Sequence, residues 1–326
     1  MEQYPIKTKV VGVDISNERT TYAIVDIRGN ILAEDSLITS DYPDVNAFVT
    51  ALSEHIVMLV EANGGYETIR SIGVSSPSAN SVSGCVENAA NLPWKGIVPL
   101  AAMLRDRLGL AVALSNDAHV TALGEYTFGS AHGMNNFIII SLGVGIGSCF
   151  FSRGSEHQGH LGFAGEFGHT CVVIGGRQCG CGHQGCLESY VGANGIVRTA
   201  QELLAESDAP SLLRGLDCIS PRIISECCDK GDKIAIEVYQ RTGHMLGLGL
   251  ANYASVVDPE AIIFTGGISH AGNWLLDPVY ESFEEHVFGN LKGKVKLLTS
   301  KLDDRERDVL GASALAWSVP EYSLFK

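Results

Sequence analysis

Residues 137–151 read Phe137-Ile138-Ile139-Ile140-Ser141-Leu142-Gly143-Val144-Gly145-Ile146-Gly147-Ser148-Cys149-Phe150-Phe151. Phe137–Leu142 is an apolar, β-branched run that predicts a buried strand, 143–147 is a glycine turn, and Cys149 to Phe151 begins a returning strand. The amino-terminal segment repeats the scheme. Val10-Val11-Gly12-Val13-Asp14 is a short apolar run ending in an acid, residues 20–26 alternate, Arg28-Gly29-Asn30 marks a turn, and Ile31–Ile38 follows, so the chain opens as a β-meander. Each copy leads into alternating helices and strands, which suggests one fold unit used twice.

Outward from these copies the spacing predicts helices over 44–63, with Asp44 as cap, and over Leu100–Leu108, 118–128, Lys233–Val257, 274–288 and 309–317. Strands are predicted at Ile69–Ser75, Ala111–Ser115, Ala261–Thr265 and 294–300. Ser, Asp and Pro at 206–215 mark a loop between helices. Strand and helix alternating at this spacing indicate two α/β domains, with a boundary near Ser115 to Ala118, where Asn116-Asp117 ends a strand.

The chain has 326 residues, enough for two domains with sizeable cores, and 45% of them are apolar. Basic residues number 23 against 37 acidic, a formal charge of −14, so the surface repels phosphate backbones and anionic lipid. The densest basic stretches, 292–296 and 305–307, are short and interrupted, and no nucleic-acid partner is expected. The longest charge-free stretch, 133–152, is broken by Asn135, Asn136 and glycines and makes a poor membrane span. The opening residues lack the layout of a signal peptide, which points to a cytoplasmic protein.

Three of nine cysteines fall within Cys179-Gly180-Cys181-Gly182-His183-Gln184-Gly185-Cys186. In a reducing compartment such a cluster is more often a metal site than a disulfide framework. With His169 ten residues upstream it offers three thiolates and an imidazole, the donor set of a closed structural zinc site. His183 and Cys171 are rival fourth ligands, and reduced structural cysteines in a glycine-rich loop are the plainer alternative. The turns Gly143-Val144-Gly145 and Thr265-Gly266-Gly267 present backbone amides suited to phosphate, or simply the backbone freedom of a hairpin. Asn116-Asp117 before a helix is either a general base at a strand end or an ordinary N-cap.

Taken in order, these pieces resemble the ROK family of sugar kinases and sugar-responsive repressors. The resemblance rests on Glu166-Phe167-Gly168-His169 followed by the Cys179 to Glu188 run, on Asn116-Asp117-Ala118-His119-Val120-Thr121-Ala122-Leu123-Gly124-Glu125, and on Asn91-Leu92-Pro93-Trp94. It implies a two-lobed actin-like ATPase (ribonuclease H-like) α/β fold, a duplicated β-sheet core flanked by helices, with sugar and ATP in the cleft, usually as a homodimer. The smaller lobe is expected to hold 1–117 plus a C-terminal helix at about 305–326, and the larger lobe 118–304 with a zinc loop at 169–186.

Carried over by position, the resemblance makes Asp117 the general base for a hexose hydroxyl, most often the 6-hydroxyl of glucose. Asn91, Asn116, Glu166, His169 and Glu188 would bind the other hydroxyls. Asp14, Gly143, Val144, Gly145, Gly266 and Gly267 would handle ATP and its Mg²⁺. His169, Cys179, Cys181 and Cys186 would hold a structural Zn²⁺, His169 using its second ring nitrogen toward sugar.

The departures lie on the nucleotide side. Asp14-Ile15-Ser16-Asn17-Glu18-Arg19 stands where the family reads Asp-x-Gly-Gly-Thr-Lys, Val144 replaces a threonine, Thr265 a glycine, and Ser76-Pro77-Ser78 a Pro-Gly turn. They make altered nucleotide binding the expectation, with an active kinase favoured over a sugar-binding sensor that has lost turnover. A first strand beginning near Lys9 leaves no room for the DNA-reading domain of a repressor, and four protein ligands leave no open zinc position for a hydrolase.

Overall fold

The computed structural model describes residues 7–89 and 91–319. The chain forms two compact units, one of Met1–Gly133, Gln158–Phe163 and Lys301–Lys326, the other of Met134–His157 and Ala164–Ser300.

In the first unit the meander forms as β1 (Lys9–Ile15), β2 (Arg19–Asp26) and β3 (Ile31–Ile38). Helix α1 (Val45–Ala62) follows, its first turn capped by the Asp44 carboxylate, which accepts from Ala47 N–H at 3.0 Å. Strand β4 (Ile69–Ser75) pairs parallel to β1, and a small antiparallel sheet of β5 (Ala79–Asn80), β6 (Cys85–Glu87) and β7 (Ile97–Val98) comes next. Helix α2 (Leu100–Leu108) stops at Gly109, whose φ of 64° is left-handed, and β8 (Ala111–Ser115) joins β4 before α3 (Asp117–Thr127) begins. The sheet order is β3-β2-β1-β4-β8. Helix α1 is long and apolar enough to cross a bilayer by composition, but Phe48, Val49, Leu52 and Ile56 are buried in this unit's core.

The second unit repeats the plan with β9 (Phe137–Leu142), β10 (Ile146–Ser152), β11 (Ser155–Glu156), β12 (Ala261–Thr265) and β13 (Lys296–Thr299), ordered β11-β10-β9-β12-β13. In both sheets the first three strands are antiparallel and the last two join in parallel. This is the duplication the two sequence copies imply. Helices α4 (Glu188–Val191), α5 (Ala193–Glu206), α6 (Pro221–Asp229), α7 (Lys233–Val257) and α8 (Asn273–His286) complete the unit. The loop read at 206–215 connects α5 to α6. Its core gathers Ile138, Ile140, Leu246, Leu250, Phe264 and Phe283, all at most 1% exposed, each contributing about 1.5–3 kcal/mol through burial.

Helix α9 (Arg307–Ser318) returns to the first unit and lies across β1, β4 and α3 through small residues. A β-carbon at Gly12 would stand 2.5 Å from Val309 O, and one at Gly311 2.5 Å from Val120 O. Ser71 Oγ donates to Ala316 O at 2.7 Å. The close approach sets the first turn of α9 beside Asp14, two residues beyond Gly12 on the same face of β1.

Candidate active site and metal centre

In the first unit Asp14, Ser75 and Ser115 occupy one register row across β1, β4 and β8. Alternation along a strand puts them on the face that carries Gly12 and Gly73, under α9. Asp14 is hydrogen-bonded to the Ser75 side chain and feels the charges of Asp308, Asp117 and Arg307. Burial first, then Asp308, push its carboxyl up to about 7, against the Ser75 bond.

Asp117 opens α3. Its Oδ1 accepts from Ala118 N–H at 2.8 Å, and Asn116 Oδ1 accepts from the same amide at 2.9 Å. The N-cap reading of Asn116 therefore holds. The Asp117 carboxyl is raised, chiefly by burial and then by Asp308, while the Ala118 amide and His119 oppose the rise. Its side chain is nonetheless exposed, so its dehydration is partial and a hydroxyl group can approach. Asp308 is raised by burial against the pull of Arg307, whose guanidinium bonds Asp308 at 3.2 Å and Asp304 at 2.5 Å.

Asn91 is exposed on a segment anchored by Trp94, whose ring packs 4.4 Å from Phe48 and whose Nε1 donates to Tyr42 O at 3.0 Å. Pro77 leads into Ser78, which adopts φ of 55° where a glycine suits better. The segment Ser16-Asn17-Glu18-Arg19 is a closed turn. Ser16 Oγ donates to Arg19 O at 2.8 Å, and Arg19 reaches Ser36 Oγ at 2.7 Å.

In the second unit His169, Cys179, Cys181 and Cys186 place four ligand atoms within 4.8 Å of one another. Cys179 Sγ stands 3.7 Å from His169 Nδ1, and Cys181 Sγ 3.7 Å from Cys186 Sγ. Tetrahedral Zn–S bonds of about 2.3 Å put sulfurs about 3.7 Å apart, so donor set and spacing fit zinc. His169 Nε2 then faces Glu166 Oε2 at 4.0 Å. Of the rival ligands, His183 Nδ1 lies 3.7 Å from Cys181 Sγ alone, and the exposed Cys171 lies beside Gly185 and outside the quartet. Backbone donation from His183 lowers the Cys181 thiol to about 6, and burial raises that of Cys186 to about 12.

Arg177 holds this loop to the helices. Its nearly buried guanidinium donates to Ser189 O, Gly195 O, Thr199 Oγ1 and, at 2.5 Å, Glu202, and it lies 4.7 Å over the Tyr190 ring. Sequence reading missed Arg177, as it missed Asp308, because neither belongs to a motif of recognisable spacing.

The glycine turns meet at one place. Gly143 and Gly267 line an open pocket of about 590 Å³ together with Ser220, Arg222, Tyr239 and His270. Gly145 and exposed Val144 form the tip of the first turn, and Gly266, with φ of 84°, begins the second. Thr265 ends β12 with its hydroxyl buried and without a hydrogen-bond partner among the described residues.

The ROK family profile matches residues 10–319. The glucokinase of Streptomyces coelicolor is 34% identical over 315 residues, 94% of this chain and 96% of that protein. A xylose repressor of Caldicellulosiruptor bescii is 27% identical over 322 residues, 96% of this chain and 80% of that one. Among solved structures, a ROK family glucokinase from Streptomyces griseus in complex with glucose and AMPPNP is 31% identical, with a TM-score of 0.76 over 95% of this chain and 100% of the other. A match across nearly the whole sequence, a duplicated sheet and a His-Cys-Cys-Cys quartet consistent with zinc agree with one another, and the chain belongs to the ROK family.

Proposed function

We propose that this protein is an ATP-dependent hexose kinase acting on glucose at the 6-hydroxyl. The observation that carries the reading is Asp117, a solvent-reachable carboxyl fixed at the start of α3 with its proton affinity raised. A carboxylate with raised proton affinity is the group needed to accept a proton from an alcohol as its oxygen attacks the terminal phosphorus. The O–H bond breaks toward Asp117, the new P–O bond forms, and ADP departs. Asn91, Asn116, Glu166, His169 and Glu188 are the residues this reading assigns to the remaining hydroxyls.

Asp14 is the carboxylate assigned to the Mg²⁺ that accompanies the nucleotide, and that ion offsets phosphate charge against an acidic protein. Val144, Gly145, Gly266 and Gly267 present the backbone to phosphate, and the pocket beside Gly143 and Gly267 suits the nucleoside. His169, Cys179, Cys181 and Cys186 would hold zinc as a closed structural site that shapes the sugar-binding residues. A homodimer is the assembly this reading carries.

The test is ADP release from Mg·ATP across a panel of hexoses and N-acetylhexosamines, with Asp117→Asn as control. Glucose-dependent turnover that the substitution reduces by at least about 10³-fold supports the kinase. The closed Ser16 to Arg19 turn favours one second reading, a sugar sensor without turnover. Silence across the panel, with glucose still raising the thermal midpoint, would select it.

A further inference from the structure

The segment that closes the metal quartet also supports the first glycine turn. Glu188 follows the ligand Cys186 by two residues and begins α4. Its Oε2 accepts from Ile146 N–H at 3.0 Å, while its Oε1 lies 3.8 Å from Sγ of the ligand Cys179. The same Oε2 crowds Gly145 so closely that a β-carbon there would collide with it. Four residues on, Gly192 lets the backbone pass Val144 O, where a β-carbon would be 2.8 Å away, and Ala193 N–H donates to Gly143 O at 3.0 Å. Gly143 N–H in turn donates to Gly145 O at 3.0 Å. The turn is thus held from both sides by residues 188–193, and that stretch is tethered at Cys186.

We propose that Glu188 is a positioning residue that couples the His/Cys metal centre to the Gly143-Val144-Gly145 turn, so that metal retention and nucleotide binding favour each other. The proposal rests on the reading of this turn as a phosphate cradle. A carboxylate accepting the Ile146 amide fixes the height of the turn and leaves Val144 and Gly145 at its tip, Val144 being 77% exposed. A charge-assisted bond to a backbone amide is among the stronger single restraints available there. Displacement of residues 179–186 on metal loss moves the carboxylate and slackens the turn. Linkage makes the effect reciprocal: bound nucleotide raises the protein's hold on its metal by the same factor.

The test uses the zinc-loaded protein and two readouts besides turnover: calorimetric binding of Mg·AMPPNP, and zinc retained against a chromophoric chelator. Loss of this charged hydrogen bond in Glu188→Ala weakens AMPPNP by at least about tenfold. Glu188→Gln, which retains an acceptor for Ile146 N–H, stays within about threefold of the wild type. AMPPNP improves zinc retention in the wild type and in Glu188→Gln, and this protection is absent in Glu188→Ala. Wild-type protein that binds AMPPNP no better than Glu188→Ala does, or protection that survives in Glu188→Ala, overturns the coupling. Wild-type protein that binds no AMPPNP at all overturns the phosphate reading of the turn, and the coupling with it. Should Glu188→Ala fail to fold, Gly145→Ala drives a methyl against the same oxygen and must produce the same joint loss of AMPPNP affinity and zinc protection.

Discussion

The carbonyl oxygen of Ala312 in α9 occupies the place that a β-carbon on Gly73 of β4 would need. Backbone meets backbone there, so no side-chain rotation can relieve an added methyl. Gly73→Ala must push α9 off the sheet. Overpacking of this kind costs about 1–3 kcal/mol and more where backbone is displaced. The thermal midpoint of the first unit should fall by about 6–10 °C, read by differential scanning calorimetry. An unchanged midpoint would mean that α9 does not sit this close.

The quartet predicts one zinc per chain by elemental analysis. Zinc binding must displace the protons of Cys186, raised to about 12, and Cys179, which is also raised, whereas Cys181 at about 6 is mostly thiolate already. Apparent zinc affinity therefore increases with pH between about 6 and 9, with protons released on binding. Cys186→Ser, at a fully buried ligand, should abolish stoichiometric binding, and Cys171→Ser should leave it unchanged. A stoichiometry indifferent to Cys186 would show that the quartet is no metal site.

Much of this architecture was legible in the residues. Strand limits at Ile69–Ser75, Ala111–Ser115 and Ala261–Thr265 match because buried parallel strands are short apolar runs with sharp polar ends. The duplication was visible because both meanders open the same way. His183 stayed a rival of His169 in the sequence, because both lie close to the cysteines along the chain, and it is the folded loop that brings His169 into the quartet. Asp308 and Arg177 escaped notice for the opposite reason. Each acts through partners far away in sequence, Asp308 on Asp14 and Asp117, Arg177 on Thr199 and Glu202, and no local pattern marks such encounters. The small sheet β5-β6-β7 was likewise missed, since strands of two or three residues carry no period.

Arg177 should be irreplaceable by lysine. Its planar fork serves two carbonyls, a hydroxyl and a carboxylate at once, and an ammonium cannot match that geometry. Glu202 is 42% exposed, so loss of its partner strands no buried charge, and the cost comes mainly from the two carbonyls. Arg177→Lys should destabilise the second unit by about 1–3 kcal/mol and quicken zinc loss to a chelator, because Cys179 is only two residues away. A lysine variant with wild-type zinc retention would show that the loop does not depend on this brace.

Asp14 should cost the nucleotide-free protein stability at neutral pH. Its folded pKa of about 7 lies above the ordinary 3.8, so the folded chain binds this proton more tightly than the unfolded one. The resulting stabilisation is complete below about pH 4 and is lost as pH rises through 7. Asp14→Asn cannot titrate and escapes that loss, although it also gives up part of the bond to Ser75. The variant's thermal midpoint relative to the wild type should therefore climb between pH 4 and 7 and level off above about 8. A rise from 3.8 to about 7 sets a ceiling of about 4 kcal/mol, and water reaching this half-buried carboxyl reduces the realised gain. If the wild type gained on the variant over the same interval, Asp14 would be held as a carboxylate by a cationic partner, and Arg307 would be the residue to substitute next.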